Sequence, residues 1–165
     1  GPAQGAVALL TNVGVLAGGH VVYVDRVESQ WPLGLRFEPG SRVPLHCTAI
    51  GKLLLAQLSA AALDAQLANG PLTRYTATTI TEARRLRGEL ARIRRQGYST
   101  DNQEFMSGVV CIAVPVSGPR NGGVCAGLAI SAAEARLTLA GVRRFLPDLR
   151  AAATRLARSL KPDAR

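Results

Sequence analysis

Aromatic residues are scarce in this 165-residue chain, where phenylalanine, tyrosine and tryptophan together make up 4%. So few rings disfavour a wide platform for stacking bases or sugars, and the interior must be packed by Ala, Val, Leu and Ile. Cysteine is equally sparse. Cys47, Cys111 and Cys125 are odd in number and show no C-x-x-C spacing, which argues against a disulfide framework and a zinc site, so neither metal nor cofactor is expected. No apolar run approaches the roughly 20 residues that cross a bilayer, and the first residues lack a basic segment leading into an apolar one. The chain therefore reads as soluble and cytoplasmic, with no membrane partner. Gly1-Pro2 reads as the remnant of a removed tag, and the first apolar stretch starts without a capped helix, as in an excised fragment.

What is present suffices for one core: 47% of residues are hydrophobic, and the length is that of a single domain over residues 1–165. The net charge of +9 is carried by two segments. Residues 81–97 hold six Arg against Glu82 and Glu89, and residues 134–165 hold seven Arg and Lys161 against Glu134, Asp148 and Asp163. Both segments have helical periodicity, and arginines on the outer face of an amphipathic helix are ordinarily solvated. The chain carries no helix-turn-helix, zinc-finger or RNP signature, so it is not expected to bind DNA by itself.

Patterning predicts an α+β fold. Two β-rich runs, Val13–Leu16 and Val21–Val24, flank Gly18-Gly19, a pair able to take the positive φ of a tight hairpin. A third run, Leu33–Phe37, ends at Glu38-Pro39-Gly40. Thr48 then caps a largely buried helix over Ala49–Leu58, with Lys52 and Gln57 as its polar breaks, and Ser59 caps another over Ala60–Ala68. Thr81 is placed to cap a third helix, with Leu86, Leu90 and Ile93 on one face and Gly97 as its stop. Strands follow at Tyr98–Asn102, Val109–Val116 and Val124–Ser131, the last two joined by a Gly/Pro-rich turn. Thr138 caps a closing segment to about Leu160, which Pro147 must kink or split. Strands, then helices, then strands, then helix describe a mostly antiparallel sheet with helices packed against it.

Three segments carry candidate chemistry. Val43-Pro44-Leu45-His46-Cys47-Thr48-Ala49-Ile50-Gly51-Lys52 leads an extended chain into a helix N-terminus, whose unpaired N–H groups and partial positive charge can hold a small carboxylate. The small residues Ala49 and Gly51 would let a ligand approach; an ordinary capped core helix is the plainer alternative. Asp101-Asn102-Gln103-Glu104 precedes an apolar strand containing Cys111, where acceptors at the rim of a pocket or a solvated turn beside a buried thiol are both compatible with the pattern. In Gly127-Leu128-Ala129-Ile130-Ser131, alternation puts the small residues on one face, leaving room for a ligand or for a closely packed helix. A cysteine nucleophile built from Cys47 or Cys111 with His46 and Asp101 is disfavoured, because no nucleophile elbow surrounds either thiol.

Taken in order, VVYVDRVES, LRFEPGSRVPLHCTAIGKLLLAQL, LTRYTATTIT, LRGELARIRRQGYSTDNQEFMSGVVCIAVPV and GLAIS resemble the effector-binding domain of IclR-family bacterial transcription factors across nearly the whole chain. The resemblance implies a GAF-like, profilin-like antiparallel sheet with helices on its faces, no catalysis, and a small-molecule effector. It also implies a homodimer or homotetramer, with DNA contacted only by an N-terminal winged helix-turn-helix that this sequence does not contain. By motif, the pocket residues would be Val43, Ala49 and Ile50 at the first helix start, Asp101 and Cys111 on the middle strands, and Ala129 and Ser131 on the last strand. Ala129 stands where some carboxylate-binding relatives have serine, which tilts the pocket toward a more apolar ligand. Gln103-Glu104 replaces the Glu-Glu common in the family and halves that local charge.

Overall fold

Gly18 and Gly19 take φ values of 58° and 80°, the left-handed conformation that a two-residue hairpin turn requires at both positions. They join β1 (Leu10–Ala17) to β2 (His20–Tyr23) in the computed structural model, which describes residues 10–24, 40–119 and 122–160. The expected strand at Leu33–Phe37 lies outside the described residues. The chain continues through β3 (Arg42–Val43), α1 (Ala49–Ala56), α2 (Ala60–Leu67), α3 (Ala83–Gln96), β4 (Ser99–Asn102), β5 (Val109–Ser117), β6 (Val124–Ala133), α4 (Leu139–Arg143) and α5 (Leu146–Ser159). The six strands form one antiparallel sheet in the order β3-β2-β1-β6-β5-β4, so the fold class is the α+β arrangement that the patterning predicts.

Strand alternation sorts the core into two layers. Val21, Tyr23, Ala113 and Ala129 face α1 and α3, whereas Val13, Ile112, Val114, Leu128 and Ile130 face α4 and α5. All eight residues of α1 are buried, including Lys52. The helix can lie against the sheet because Gly14 and Gly127, paired across β1 and β6, leave a furrow there. Ile50 fills that furrow, since a Cβ on Gly14 or Gly127 would stand 3.2 or 3.0 Å from its Cγ2.

The helix ends obey local chemistry with two departures. Thr48, Ser59 and Thr138 cap α1, α2 and α4 by accepting the N–H of the residue three positions on. Thr81 does not cap α3: the helix begins one residue later than expected, Glu82 occupies the cap position without a side-chain bond, and the Thr81 hydroxyl accepts Arg74 Nη2 at 3.1 Å instead. α1 ends at Ala56, short of the expected Leu58. Leu86, Leu90 and Ile93 of α3 point inward, its arginines are exposed, and Gly97 terminates it at φ 78°. Pro147 splits the closing segment by sitting in the first turn of α5, where its missing N–H would have had no helical partner.

Candidate functional site

Sheet register brings three of the expected residues into one row. Asp101 of β4 stands opposite Cys111 of β5, and Cys111 stands opposite Ser131 of β6. Directly paired residues share a face, so all three side chains project toward the α1 layer, with Ala113 and Ala129 in the parallel row two residues along. Cys111 Sγ and Ser131 Oγ are 3.0 Å apart. Asp101 is 3% exposed and Ser131 7%, while Cys111 is only partly buried.

The start of α1 belongs to the same layer. Thr48 Oγ1 donates to Pro44 O at 2.6 Å and accepts Gly51 N at 3.1 Å, while Lys52 N reaches Thr48 O at 2.9 Å. Among the described residues, no acceptor pairs with the N–H groups of Ala49 and Ile50, which leaves two donors and the positive end of the helix dipole unmatched. Gly51 does not serve ligand approach: a Cβ there would collide with Leu45 O and Thr48 Oγ1, so glycine is required by the tight entry into the helix. Ala49 packs in the core of this layer, and the Ile50 side chain is engaged by the glycine furrow, which leaves only its backbone N–H unpaired. Val43 packs in the same layer from β3, paired with Val21.

Burial, more than any charge, pushes the Asp101 carboxyl up to about 7; the nearby Glu104 charge adds to the rise, while the Glu104 backbone bond, Lys52 and Cys111 oppose it. Burial likewise pushes Cys47 up to about 12, and raises Cys111 and the Tyr23 hydroxyl still further. Asp101 contributes to the rise of both, and Cys111 to that of Tyr23, so β2 supplies a fourth polar group that the sequence reading missed. Its signal was the alternation of Val21 with Tyr23 on the face that meets α1. At pH 7 the two thiols and the Tyr23 hydroxyl are therefore neutral, while the Asp101 carboxyl is divided between its neutral and charged forms.

Lys52 was read as a polar break in α1, yet it is fully buried, with Nζ 2.9 Å from both carboxylate oxygens of Glu104 and 3.6 Å from Glu89 Oε2. A lone lysine in a helix that is apolar all round was the available clue. Glu104 is therefore not a free acid at a pocket rim. The turn that carries it is held from outside: Thr79 Oγ1 donates to Glu104 O at 2.6 Å, Thr76 Oγ1 to Gln103 O at 2.6 Å, and Thr78 Oγ1 to Gln103 O at 2.8 Å. The threonines of YTATTIT are the clamp on this turn, whose Gln103 adopts φ 59°.

A nucleophilic dyad is not assembled. His46 Nε2 bonds to the Thr73 carbonyl at 2.8 Å, and the neighbouring Cys47 is buried with its thiol held protonated. A cleft of about 460 Å³ opens beside His46, between the Gly18-Gly19 turn and the Asn69–Thr73 segment, and it shares no lining residue with the Asp101–Cys111–Ser131 row.

A single six-stranded antiparallel sheet with helices on both faces is the architecture of an effector-binding domain of the regulatory type. The chain belongs to the IclR family: it matches the bacterial transcriptional regulator IclR C-terminal model over residues 5–158. It is 46% identical over 148 residues to the probable transcriptional regulator SauR of Cupriavidus necator, covering 90% of this chain and 58% of that protein. The chain thus spans about three-fifths of that curated relative's length. Among solved structures, the C-terminal domain of Escherichia coli KdgR superimposes with a TM-score of 0.78 at 34% identity, covering 92% of this chain and 87% of that one. A double mutant of the Acinetobacter PobR inducer-binding domain, in complex with 3-hydroxybenzoic acid, gives 0.78 at 28% identity, covering 91% and 87%. The named relatives are transcriptional regulators rather than enzymes. No helix among the described residues is long and apolar enough to cross a membrane.

Proposed function

We propose that this chain is the sensing and oligomerising domain of a cytoplasmic transcriptional regulator, and that its effector is a small carboxylate or a partly apolar aromatic acid. The observation that carries this reading is the pair of unmatched N–H groups at Ala49 and Ile50, in the helix layer toward which Asp101, Cys111 and Ser131 project. The helix start receives the carboxylate, and the Ser131 hydroxyl and the carboxyl of Asp101 meet polar groups further along the ligand. Val43, Cys111 and Ala129 supply the softer walls. An acid bound by PobR's inducer-binding domain supports the chemical class.

Regulation requires that the ligand bind one state of the domain better than another, and coupling of about 1–3 kcal/mol is typical. α1 is the element both ends can feel, since it contacts the ligand at its first turn and the sheet along its length. Movement of α1 is passed through a homodimer or homotetramer to a winged helix-turn-helix outside this chain, which contacts DNA. Calorimetric titration with hydroxybenzoates and short oxo acids, together with native mass spectrometry, tests this. A saturable ligand whose affinity falls about tenfold or more in Ser131→Ala is expected, from loss of one buried hydrogen bond. Multiple subunits that bind no ligand would make the chain a dimerisation module instead.

A further inference from the structure

Of the chain's two lysines, Lys52 and Lys161, the first is sealed inside a domain whose other described cations are arginines at the surface. Burying an ion pair stabilises a fold little relative to apolar side chains of the same volume, so its presence calls for a role in geometry. Glu104 supplies that geometry. Its N–H donates to Asp101 Oδ1 at 2.7 Å, its Oε2 accepts Asn102 N at 3.1 Å, and both carboxylate oxygens lie 2.9 Å from Lys52 Nζ. One residue therefore grips Asp101 with its backbone and the second half of α1's first turn with its side chain.

We propose that Lys52 and Glu104 are positioning residues of the pocket: their buried pair ties α1 to the Asp101 turn and fixes both where the Asp101 carboxyl stands and which charge surrounds it. The proposal deepens the sensor reading and takes from it only that Asp101 meets the ligand. Asp101 stands opposite Cys111 of β5 and accepts Glu104 N–H from its own turn. The charges that act on it are those of Lys52 of α1 and Glu104, while its own charge acts on Tyr23 of β2 and Cys47 ahead of α1. Lys52 and Glu104 are the charged partners in that set, and they act on Asp101 in opposite directions. Removing Lys52 leaves Glu104 uncompensated beside the carboxyl, and removing Glu104 leaves Lys52 with Glu89, 3.6 Å away, as its counter-charge, whereas a pair that merely held helix to turn would leave the titration of Asp101 where it was.

Carbon-13 NMR of the aspartate-labelled whole domain, with the Asp101 signal assigned through Asp101→Asn, separates these outcomes. Glu104→Gln is expected to lower the Asp101 titration midpoint by at least about one pH unit, and Lys52→Met to raise it by a similar amount, the scale of a neighbouring charge. Midpoints equal to wild type in both folded variants would overturn the proposal. If the variants do not fold, the wild-type protein decides: the nitrogen-15 signal of the Lys52 ammonium must move in step with Asp101, and a flat response refutes the tie. Failure of the sensor reading appears separately, as a domain with the expected midpoints that binds no acid from the panel.

Discussion

Replacing Asp101 with asparagine removes a charge that the folded protein resists and keeps the shape that it uses. The asparagine Oδ1 can still accept the Glu104 N–H that Asp101 accepts at 2.7 Å. In the wild type, burial raises the carboxyl from 3.8 to about 7, so folding favours its neutral form. The unfolded chain loses this proton first, and between those two pH values the native state binds more protons than the unfolded one. Wild-type stability from this group is therefore complete below about pH 4, declines as pH rises toward 7 and is flat above that, the reverse of the usual aspartate. Three pH units correspond to about 4 kcal/mol. Asp101→Asn carries no such dependence, so its stability relative to wild type should grow by up to about 4 kcal/mol between pH 4 and pH 8, or about 10 °C in melting temperature for a domain of this size. Urea unfolding of both proteins across that range measures the difference directly. Parallel curves would refute the assignment of Asp101 as a buried neutral acid, and the electrostatic picture of the site with it.

Thiol chemistry should discriminate among the cysteines: Cys125 is exposed, whereas burial holds Cys47 and Cys111 protonated, so at pH 8 the folded protein should release one fast equivalent in a disulfide-reagent assay and none in Cys125→Ser. Three equally fast thiols would contradict the protonated state assigned to Cys47 and Cys111. Gly51→Ala should destabilise by about 3 kcal/mol or more, because the added methyl meets Leu45 O and Thr48 Oγ1 at the cap of α1; unfolding close to wild type would show that the cap relaxes freely. Leu90→Ala empties a fully buried position of α3 and should cost about 2–5 kcal/mol by denaturant titration, whereas Arg84→Ala on the exposed face should stay within about 0.5 kcal/mol.

Much of this fold is readable from local chemistry. The Gly18-Gly19 turn, the Thr48 and Ser59 caps, the Gly97 stop and the Pro147 break each depend on a few adjacent residues. The small-residue face of Gly127, Ala129 and Ser131 was equally visible, as alternation alone decides it. What alternation cannot supply is register. That Cys111 lies between Asp101 and Ser131 depends on two strand pairings, and whether Ile50 lines a pocket or fills a furrow depends on where Gly14 and Gly127 meet. Lys52 and Glu104 were legible as residue types but not as a pair, because 52 positions separate them and neither has a local partner that betrays the other. The motif resemblance named Asp101, Cys111 and Ser131 together, as the sheet register also does, yet it left Tyr23 and the threonine clamp unnoticed.

The join between β1 and β6 has a kinetic consequence. Val13 pairs with Leu128 and Thr11 with Ile130, so the middle of the sheet is made from opposite ends of the described chain. The first hairpin and the β4-β5-β6 meander can each assemble from neighbours, but the seam between them waits until most of the polypeptide has been gathered in, a long loop closed late. Such a topology places the domain among slow folders, on a timescale of about milliseconds to seconds. Until that seam zips shut, two unpaired strand edges stay open to other chains, and crowded synthesis becomes its period of greatest exposure to aggregation.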